Sequence, residues 1–432
     1  METQPQLNSS VSEGWLKKFI PLWIGQAFSL VGSGLVQFAL VWWLTEKTGS
    51  TAVLAAATLA ALIPQVVVSP FAGALVDRWN RKAVMMIADS LTALATLVLS
   101  LLFATGAIQA WHVYALMFIR SFGGAFQWPA MQASTSLMVP EKHLSRLAGA
   151  NQALNGLINI VAPPAGAFLL AVLPIHNVLM IDIITAILAV GILAFIAIPQ
   201  PKTQPEQAAS VKNVWEDVKT GLRYARTWPG LMGILVMAAM LNLFTNPAFS
   251  FIPLVVTRVF NGGALEYGWI DSAFGIGVVL GGLLLSIWGG FKRKIITSML
   301  GLIGMGVGVL IVGLIPGWGY TFALAGMFLV GFMNPLVNGP LFAIIQIKVA
   351  PEMQGRIFTL VNSIASAMSP LGMVIASPVA ELLGLRSWYV LAGIACMLMA
   401  AAGLIIPAIN TVEEQTPGLA GATGIGVSAS AD

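Results

Sequence analysis

Long runs of apolar residues recur along the whole chain and are separated by short polar segments. Each run covers about 20 residues or more, the length that an α-helix needs to cross the hydrocarbon core of a bilayer. A membrane-spanning strand would instead alternate polar and apolar residues over about ten positions. The unbroken runs therefore predict about twelve transmembrane helices, near residues 19–44, 51–75, 83–104, 111–136, 147–172, 178–198, 229–256, 268–289, 295–315, 320–347, 357–383 and 387–409.

Composition agrees with a chain that is surrounded by lipid. Of its 432 residues, 58% are hydrophobic and 9% are charged, whereas soluble proteins carry about 25% charged residues. A soluble fold of this length could not hide so much apolar surface from water. The first apolar run ends in Trp42-Trp43 rather than at a small-residue cleavage site, so we expect it to be a retained helix and not a signal peptide.

The basic residues predict how the helices are oriented. Seventeen Lys and Arg residues fall in loops or ends on one side of the predicted bilayer, and three, Lys47, Arg258 and Arg386, fall on the other. Basic loops stay in the cytoplasm, so both termini are expected there, in a multi-pass protein of the cytoplasmic (inner) membrane. The basic pI of about 9.2 follows from these loops, and we predict a monomer in the lipid bilayer with no nucleic-acid partner.

Two sequence matches indicate an internal repeat. The segments PAMQASTSLMVPE (Pro129–Glu141) and PLFAIIQIKVAPE (Pro340–Glu352) share their proline spacing at an offset of 211 residues, and Arg81-Lys82 matches Arg293-Lys294 at an offset of 212. Duplication of a six-helix unit gives two parallel halves with the substrate site between them near mid-membrane. The predicted domains are a six-helix bundle at 1–198, a cytoplasmic linker at 199–228, a second bundle at 229–409 and a disordered tail at 410–432.

The loop after the second predicted helix resembles a known signature. The segment GALVDRWNRKAVM is similar to the signature loop of the major facilitator superfamily, and the matching residues are Gly73, Asp77, Arg78, Arg81 and Lys82. Asn80 stands where the family has glycine, and Asn tolerates a left-handed turn better than most residues. The resemblance implies an all-α fold of two six-helix bundles that carries out secondary transport without a cofactor.

Other segments extend the resemblance to all twelve predicted helices. Arg120 and Gly124 look like the arginine–glycine motif of the fourth helix, and NIVAPPAGAF, with Pro163 and Gly166, looks like a form of the fifth-helix antiporter motif in which Ala162 replaces glycine. GQAFSLVGSGLVQFALVWWL and VPEKHLSRLAGANQ resemble the macrolide-efflux branch of drug:proton antiporters. This resemblance implies a small amphiphilic substrate and protons as partners.

The signature loop is expected to act as a gating latch. The resemblance places Asp77 near the cytoplasmic start of the eleventh helix, whose positive dipole end attracts a carboxylate. Gly289 stands at the matching place in the second half, so one copy carries the acid. The alternative is a plain cytoplasmic loop with basic anchors.

Polar side chains at helical spacing form stripes on several predicted helices, because residues four apart share one face. The sequence predicts that they line a cavity: Gln26, Gln37, Gln127, Asn151, Asn155, Asn242, Asn246, Asn334, Asn338 and Asn362. The alternative for any single residue is a hydrogen bond between helices without a cavity.

Four charged residues are expected to lie within the membrane: Asp89, Arg120, Asp182 and, near the outer end of the eighth span, Asp271. Such residues are expensive and usually face a pathway or a partner. Arg120 keeps its charge and must be paired or hydrated. Asp89 and Asp182 lie at a similar depth, less than about 10 Å away along the membrane normal at 1.5 Å per residue. Two hypotheses stay open: a pair between Arg120 and a carboxylate that a proton breaks and remakes during transport, and a fixed structural ion pair.

Proton-driven export of amphiphilic drugs such as macrolides is the function that these features favour. A siderophore or lipid exporter of the same fold and a passive facilitator are the alternatives. The sequence contains neither an HExxH metal motif nor a GxxxxGK[ST] phosphate-binding loop, and its histidines, His112, His143 and His176, are scattered. We therefore predict no enzyme activity, no metal and no cofactor.

Overall fold

The computed structural model of the chain describes residues 15–76, 79–198, 219–220, 222–349 and 351–415. Within these ranges the regular structure is helical, and residues 222–227 form a short helical stretch before α7. The other helices, in chain order, are α1 Trp15–Thr48, α2 Thr51–Val76, α3 Arg81–Ala104, α4 Ala110–Met138, α5 Glu141–Val172, α6 Ile175–Phe195, α7 Pro229–Ser250, α8 Ile252–Arg258, α9 Ala264–Trp288, α10 Lys294–Leu314, α11 Tyr320–Lys348, α12 Pro351–Leu383, α13 Leu385–Ile405 and α14 Pro407–Asn410.

The predicted all-α membrane fold is confirmed. Each predicted span corresponds to one long helix, and the seventh runs from α7 into α8. In the described part of the chain, eleven helices are long and apolar enough to cross a membrane. The 29-residue α4 is long enough as well, but it is less apolar because it carries Arg120 and Gln127. Such a helix is stable in a bilayer when its polar side chains face other helices or water instead of lipid.

The chain divides into two compact units. The first comprises residues 1–210 and 262–272, and the second comprises 211–261 and 273–432. In the first unit α1 packs on α5 and α6, α3 packs on α4 and α6, and α2 packs on α4. In the second unit α7 packs on α12 and α13, and α10 packs on α11 and α13. Helices six apart along the predicted repeat thus have corresponding neighbours. The predicted linker falls largely outside the described residues, which resume at 219.

Glycines bring the helices of the second unit close together. A Cβ atom added at Gly277 or Gly281 of α9 would meet the backbone of Phe328 or Phe332 in α11. Within α10, Gly308 lies against the backbone of α11 in the same way. Small residues at these contacts let backbones approach, which increases van der Waals contact where no hydrophobic effect favours association.

The turn before α3 differs from the prediction made for Asn80. Its φ is −66° and its ψ is 108°, so the backbone is extended and the left-handed turn considered for it is not present. The side chain instead accepts a hydrogen bond from the N–H of Ala83 at 3.1 Å. An Asn in this position satisfies one of the free N–H groups of the first helical turn, and this explains why it replaces glycine without loss of the helix start.

The end of the second bundle is more ordered than the predicted tail boundary at 410 implied. Residues 411–415 follow α14, and Val412 is fully buried. Glu413 Oε1 accepts the N–H of Ile295 at 2.7 Å, and Gln415 Oε1 accepts the N–H of Gly230 at 3.1 Å. These contacts cap the first turns of α10 and α7. The rest of the predicted tail, from 416, lies outside the described residues.

Candidate functional site

The interior of the first unit holds a buried ion pair. Arg120 Nη1 of α4 lies 2.5 Å from Asp182 Oδ2 of α6, and the two side chains are 11% and 2% exposed. Thr96 Oγ1 donates to Asp182 Oδ2 at 3.2 Å, and Ser33 Oγ donates to Asp182 Oδ1 at 3.0 Å. Both carboxylate oxygens are therefore hydrogen-bonded, and one cluster joins α1, α3, α4 and α6. A charge at this depth persists because its partner and its hydrogen bonds replace water.

Asp89 forms a second polar cluster, with two amides. Gln26 Nε2 of α1 donates to Asp89 Oδ2 at 3.1 Å. Gln127 Nε2 of α4 donates to Asp89 Oδ1 at 2.6 Å and to Gln26 Oε1 at 2.7 Å. Asp89 is 6% exposed, and its partners here are neutral. The sequence placed these three residues on separate helices, and the fold brings them into one closed triangle, called here the amide triad.

A cavity opens beside the amide triad. Its lining combines aromatic and apolar side chains with amides: Trp23, Gln26, Ala27, Leu30, Gln127, Trp128, Met131, Gln132, Asn151, Leu154 and Asn155. Trp23 Nε1 donates to Asn151 Oδ1 at 2.6 Å, which ties α1 to α5 along one wall. Apolar surface with a few placed polar groups is the usual composition of a site for a small molecule. The space is small, about 50 Å³, so it holds at most part of a drug-sized molecule unless the helices around it move apart.

A larger cavity of about 460 Å³ lies in the same unit, at the opposite end of α1. Trp42, Trp43 and Glu46 of α1 line it together with Glu266. Its volume falls within the range of about 300–1,000 Å³ found for small-molecule sites. The cavity beside the amide triad, called here the amide-lined cavity, contains four of the predicted lining residues: Gln26, Gln127, Asn151 and Asn155. The larger cavity contains none of the predicted lining residues.

Comparison with known proteins decides the family. The family model described as Major Facilitator Superfamily matches residues 22–367 and 249–428, which together cover most of the chain. The chain belongs to the Major Facilitator Superfamily. The resemblance drawn from the signature loop is thereby confirmed, and the protein is a multi-pass membrane protein of a transporter superfamily.

Named relatives cover nearly the whole length of the chain. Macrolide efflux protein A of Streptococcus pyogenes is 32% identical over 400 residues, which are 93% of this chain and 98% of that protein. Macrolide efflux protein A of Enterococcus faecalis is 31% identical over 75% of this chain and 100% of that protein. Multidrug efflux pump Tap of Mycolicibacterium fortuitum is 25% identical over 88% of this chain and 94% of that protein.

Solved structures share the fold at low sequence identity. The nucleoside transporter NupG (D323A mutant) superposes with a TM-score of 0.68 at 14% identity, over 89% of this chain and 98% of that one. The human organic anion transporter MFSD10 (TETRAN) gives a TM-score of 0.58 at 16% identity, over 92% of this chain and 99% of that one. These likenesses identify the Major Facilitator Superfamily fold and carry no information on substrate.

The residues of the superfamily signature loop are described in part. Gly73 lies in α2, and Asp77 and Arg78 lie outside the described residues. Arg81 Nη1 donates to the carbonyl of Ala133 at 2.7 Å, and Lys82 Nζ donates to the carbonyl of Ala194 at 2.7 Å. These carbonyls lie near the C-terminal ends of α4 and α6, where a cation is stabilised by the helix dipole. The latch role of the loop stays a prediction.

The antiporter-like motif lies in a closely packed part of α5. Pro164 has no N–H, so the carbonyl of Ile160 loses its donor within the helix. Ser272 Oγ, in the part of α9 that belongs to the first unit, donates to this carbonyl at 2.6 Å. A Cβ atom at Gly166 would lie 2.9 Å from the ring of Phe38, and one at Gly268 would lie 3.0 Å from the Pro163 carbonyl.

The predicted lining residues of the second unit hydrogen-bond mainly along their own helices. Asn338 Nδ2 donates to the carbonyl of Asn334 at 3.1 Å. Asn246 Nδ2 donates to Asn242 Oδ1 at 2.9 Å and crosses to Ser369 Oγ of α12 at 2.8 Å. The bond from Asn246 to Ser369 joins two helices, as the alternative for single residues described, and the other bonds lie within one helix. Gln37 and Asn362 are exposed, and their role in lining a cavity stays a prediction.

Sequence reasoning missed Thr96, Trp23 and Trp128. Thr96 lies seven residues after Asp89, two turns along the same face of α3, so helical periodicity could have placed it with the buried charges. Trp23 precedes Gln26 by three residues and shares its face in the same way. Tryptophans in a member of the Major Facilitator Superfamily look like ordinary lipid-facing residues until the packing of α1, α4 and α5 is known.

Proposed function

We propose that this protein is a secondary transporter that exports small amphiphilic compounds such as macrolides, driven by protons, through alternating access. The observation that carries the proposal is the 32% identity to Macrolide efflux protein A over 93% of the chain. The identical residues extend over both units, so the similarity concerns the whole transporter and not a single local motif.

The chemistry of the amide-lined cavity supports an amphiphilic substrate. Trp23, Trp128 and Met131 offer apolar and aromatic surface, and Gln127 and Asn155 offer donors and acceptors without net charge. Sugars and phosphates need dense hydrogen bonding or fixed cations, whereas an amphiphile needs apolar area and a few polar contacts. The side chains that line this small cavity therefore match the surface of a drug-like compound better than that of a highly polar metabolite.

The proposed organisation follows the positive-inside rule. The protein is a monomer in the inner membrane, and both of its termini lie in the cytoplasm. It consists of two bundles, at 1–198 and 229–409, a cytoplasmic linker at 199–228 and a tail at 410–432. Substrate enters from the cytoplasm or the inner leaflet and leaves on the opposite side. This orientation fits export, in which protons that enter the cytoplasm drive the substrate out of it.

The latch proposal concerns the loop from Gly73 to Lys82. Asp77 at the start of a helix would stabilise one of the two access states through the helix dipole. Asp77→Asn removes the charge and keeps the shape, so transport should fall while the amount of inserted protein stays equal to wild type. Glu381→Gln, a similar change at an exposed residue near the end of α12, is the control. Equal transport by Asp77→Asn and wild type would refute the latch.

Transport by the purified protein in sealed vesicles tests the function. A pH gradient is imposed, and the movement of erythromycin or an amphiphilic dye is followed with and without an ionophore that dissipates the gradient. Uptake that depends on the gradient supports the antiporter. Movement only down the substrate's own gradient indicates a facilitator, and no movement of any amphiphile indicates another substrate, such as a siderophore or a lipid.

A further inference from the structure

The three hydrogen bonds of the amide triad depend on one another. Its three hydrogen bonds close a ring: Gln26 to Asp89, Gln127 to Asp89, and Gln127 to Gln26. An ionised carboxylate is an acceptor at both oxygens, and a glutamine amide has one donor end and one acceptor end. With Asp89 ionised, all three contacts pair a donor with an acceptor.

A proton on Asp89 does not fit the ring as the two amides are now oriented. If its O–H lies on Oδ2 and points into the ring, Gln26 must turn its oxygen toward it, so its nitrogen faces Gln127. Gln127 Nε2 serves both of its contacts, so Gln127 must then turn to present its oxygen to Gln26 and its nitrogen to Oδ1. The present contacts persist only if the O–H points out of the ring, because a protonated carboxyl group gains a donor that the ionised group lacks.

The Arg120–Asp182 pair behaves differently. Asp182 is held by a guanidinium, by Thr96 and by Ser33, so protonation of Asp182 would leave Arg120 as an unpaired buried charge. That outcome is strongly unfavourable. The other charged side chains on α1, α3, α4 and α6 within the described part of the chain lie at the helix ends: Lys17, Lys18, Glu46, Lys47, Arg81 and Lys82. The imidazoles of His112 and His176 also lie at helix ends.

The change at Asp89 has a consequence for the cavity, because Gln26 and Gln127 of the ring line it. They face the space that Trp23, Trp128 and Asn155 share. When the proton adds to a carboxylate oxygen, an O–H bond forms and no electron is transferred. The new donor turns the two glutamine amides or points out of the ring, and either change alters the donors and acceptors that the lining offers to a molecule in the cavity.

We propose that Asp89 is the carboxylate that exchanges the transported proton, and that the amide triad links its protonation to the substrate cavity through Gln26 and Gln127. The Arg120–Asp182 pair is then a fixed structural element. This assignment rests on the proposed proton-driven export and names the residue that couples the two. The proton comes from the side of higher proton concentration and leaves to the other side as the access states alternate.

Asp89→Asn tests the assignment, because an asparagine has one donor and one acceptor, as a protonated carboxyl group does. Transport of erythromycin driven by a pH gradient should be lost, whereas exchange of labelled for unlabelled erythromycin at equal pH should continue. Glu381→Gln, which removes an exposed acid near the end of α12 outside both cavities, should leave both activities unchanged. Asp89→Asn with full gradient-driven transport would overturn the assignment.

Infrared difference spectra between high and low pH provide a second readout that does not depend on transport. Asp271 of α9 is another carboxyl group within a span, so it is replaced by Asn in all the proteins compared. In that background the otherwise unchanged protein and Glu381→Gln should show the carboxyl C=O band of a buried protonated acid, and Asp89→Asn should lack it. A band that persists in Asp89→Asn overturns the proposal. If the wild type shows the band but no gradient-driven transport, the proton site stands and the export function fails.

Gln127→Leu separates proton binding from coupling. It removes two of the three contacts, so a protonated Asp89 can donate to Gln26 without breaking any remaining bond. The infrared band should stay, whereas gradient-driven transport should be lost and exchange retained. Asn155→Leu, which changes another amide of the cavity that lies outside the ring, should raise the erythromycin concentration needed for half-maximal transport, whereas transport at saturating erythromycin should still depend on the pH gradient. Normal coupling in Gln127→Leu would show that the ring does not link the proton to the cavity.

Discussion

Single polar residues in this protein are stable in the membrane interior because each has partners. Arg120 donates to Asp182, to Thr96 and to the carbonyl of Ser33. Asp89 accepts from two amides. A polar group without a partner costs several kcal/mol in hydrocarbon, of order 2–7 kcal/mol. The two carboxylates differ in their partners: Asp182 faces a cation, and Asp89 faces two neutral amides.

Asp182→Asn should strongly destabilise the first unit. The substitution leaves the guanidinium of Arg120 buried without a counter-charge, and breaking a buried pair on one side costs about 3–5 kcal/mol. Thermal unfolding of the purified protein in detergent measures the loss. The double variant Arg120→Met with Asp182→Leu removes both charges and should recover most of the stability. If the single and double variants were equally destabilised, the unpaired charge of Arg120 would not be the cause of the lost stability.

Gly32→Ala tests the close approach of α1 to α6. A Cβ atom at Gly32 would lie 3.0 Å from Asp182 Cα and still closer to Thr185 Oγ1. Overpacking of this kind costs about 1–3 kcal/mol, which should exceed the gain in helix propensity of about 1 kcal/mol. Gly124→Ala is the matched control, since a Cβ there meets nothing within 4 Å. Melting temperature should fall for Gly32→Ala and hold or rise for Gly124→Ala.

At the scale of helices, the ends and the breaks in hydrogen bonding are satisfied by other elements. The Ile160 carbonyl freed by Pro164 receives Ser272, and the first turns of α7 and α10 receive Gln415 and Glu413. Backbone groups at membrane depth must find protein partners, because lipid offers none. Packing in the second unit therefore depends on the segment after α14 as well as on the long helices.

Deleting residues 411–432 should therefore destabilise the second unit, whereas deleting 416–432 should have little effect. The longer deletion exposes the surface around Val412 and removes the partners of two helix N-termini. Burial of one apolar side chain and one charge-assisted hydrogen bond together contribute about 3 kcal/mol. Denaturant unfolding of the two truncated proteins provides the comparison. Identical unfolding midpoints would show that residues 411–415 do not brace α7 and α10.

At the scale of the whole molecule, the internal repeat of the sequence corresponds to two units in which equivalent helices pack on equivalent neighbours. The offsets of 211 and 212 residues between matching segments agree with helices that have equivalent neighbours in each unit. Six helices per unit also return the chain to its starting side, so basic loops can collect on one face of the membrane. The predicted orientation therefore assigns every loop to one side of the membrane.

Cysteine labelling tests this orientation. Cys396 is the lone cysteine of the chain, so single cysteines can be placed in a Cys396→Ala background. Lys18→Cys and Arg226→Cys, both at exposed positions, should react with a membrane-impermeant thiol reagent from the cytoplasmic side of vesicles. Lys47→Cys, also exposed, should react from the opposite side. Labelling of Lys18→Cys and Arg226→Cys from different sides would reject the proposed topology.

The sequence by itself determined the helices and their number, because a lipid environment requires long apolar runs and these are visible without any knowledge of packing. It also identified Arg120, Asp89 and Asp182 as buried charges, since a charge inside an apolar run stands out. The family was recognised through the resemblance of the loop from Gly73 to Met85 to the superfamily signature.

Only the tertiary structure decided which of these residues meet. The partners of Asp182 come from α1, α3 and α4, and the amide triad joins residues 63 and 101 positions apart in the chain. Helical periodicity gives the face of each residue but not the rotation of one helix against another, and that rotation depends on side-chain packing along the whole contact. The pairing of Arg120 with Asp182 and of Asp89 with two amides therefore became visible in the folded chain.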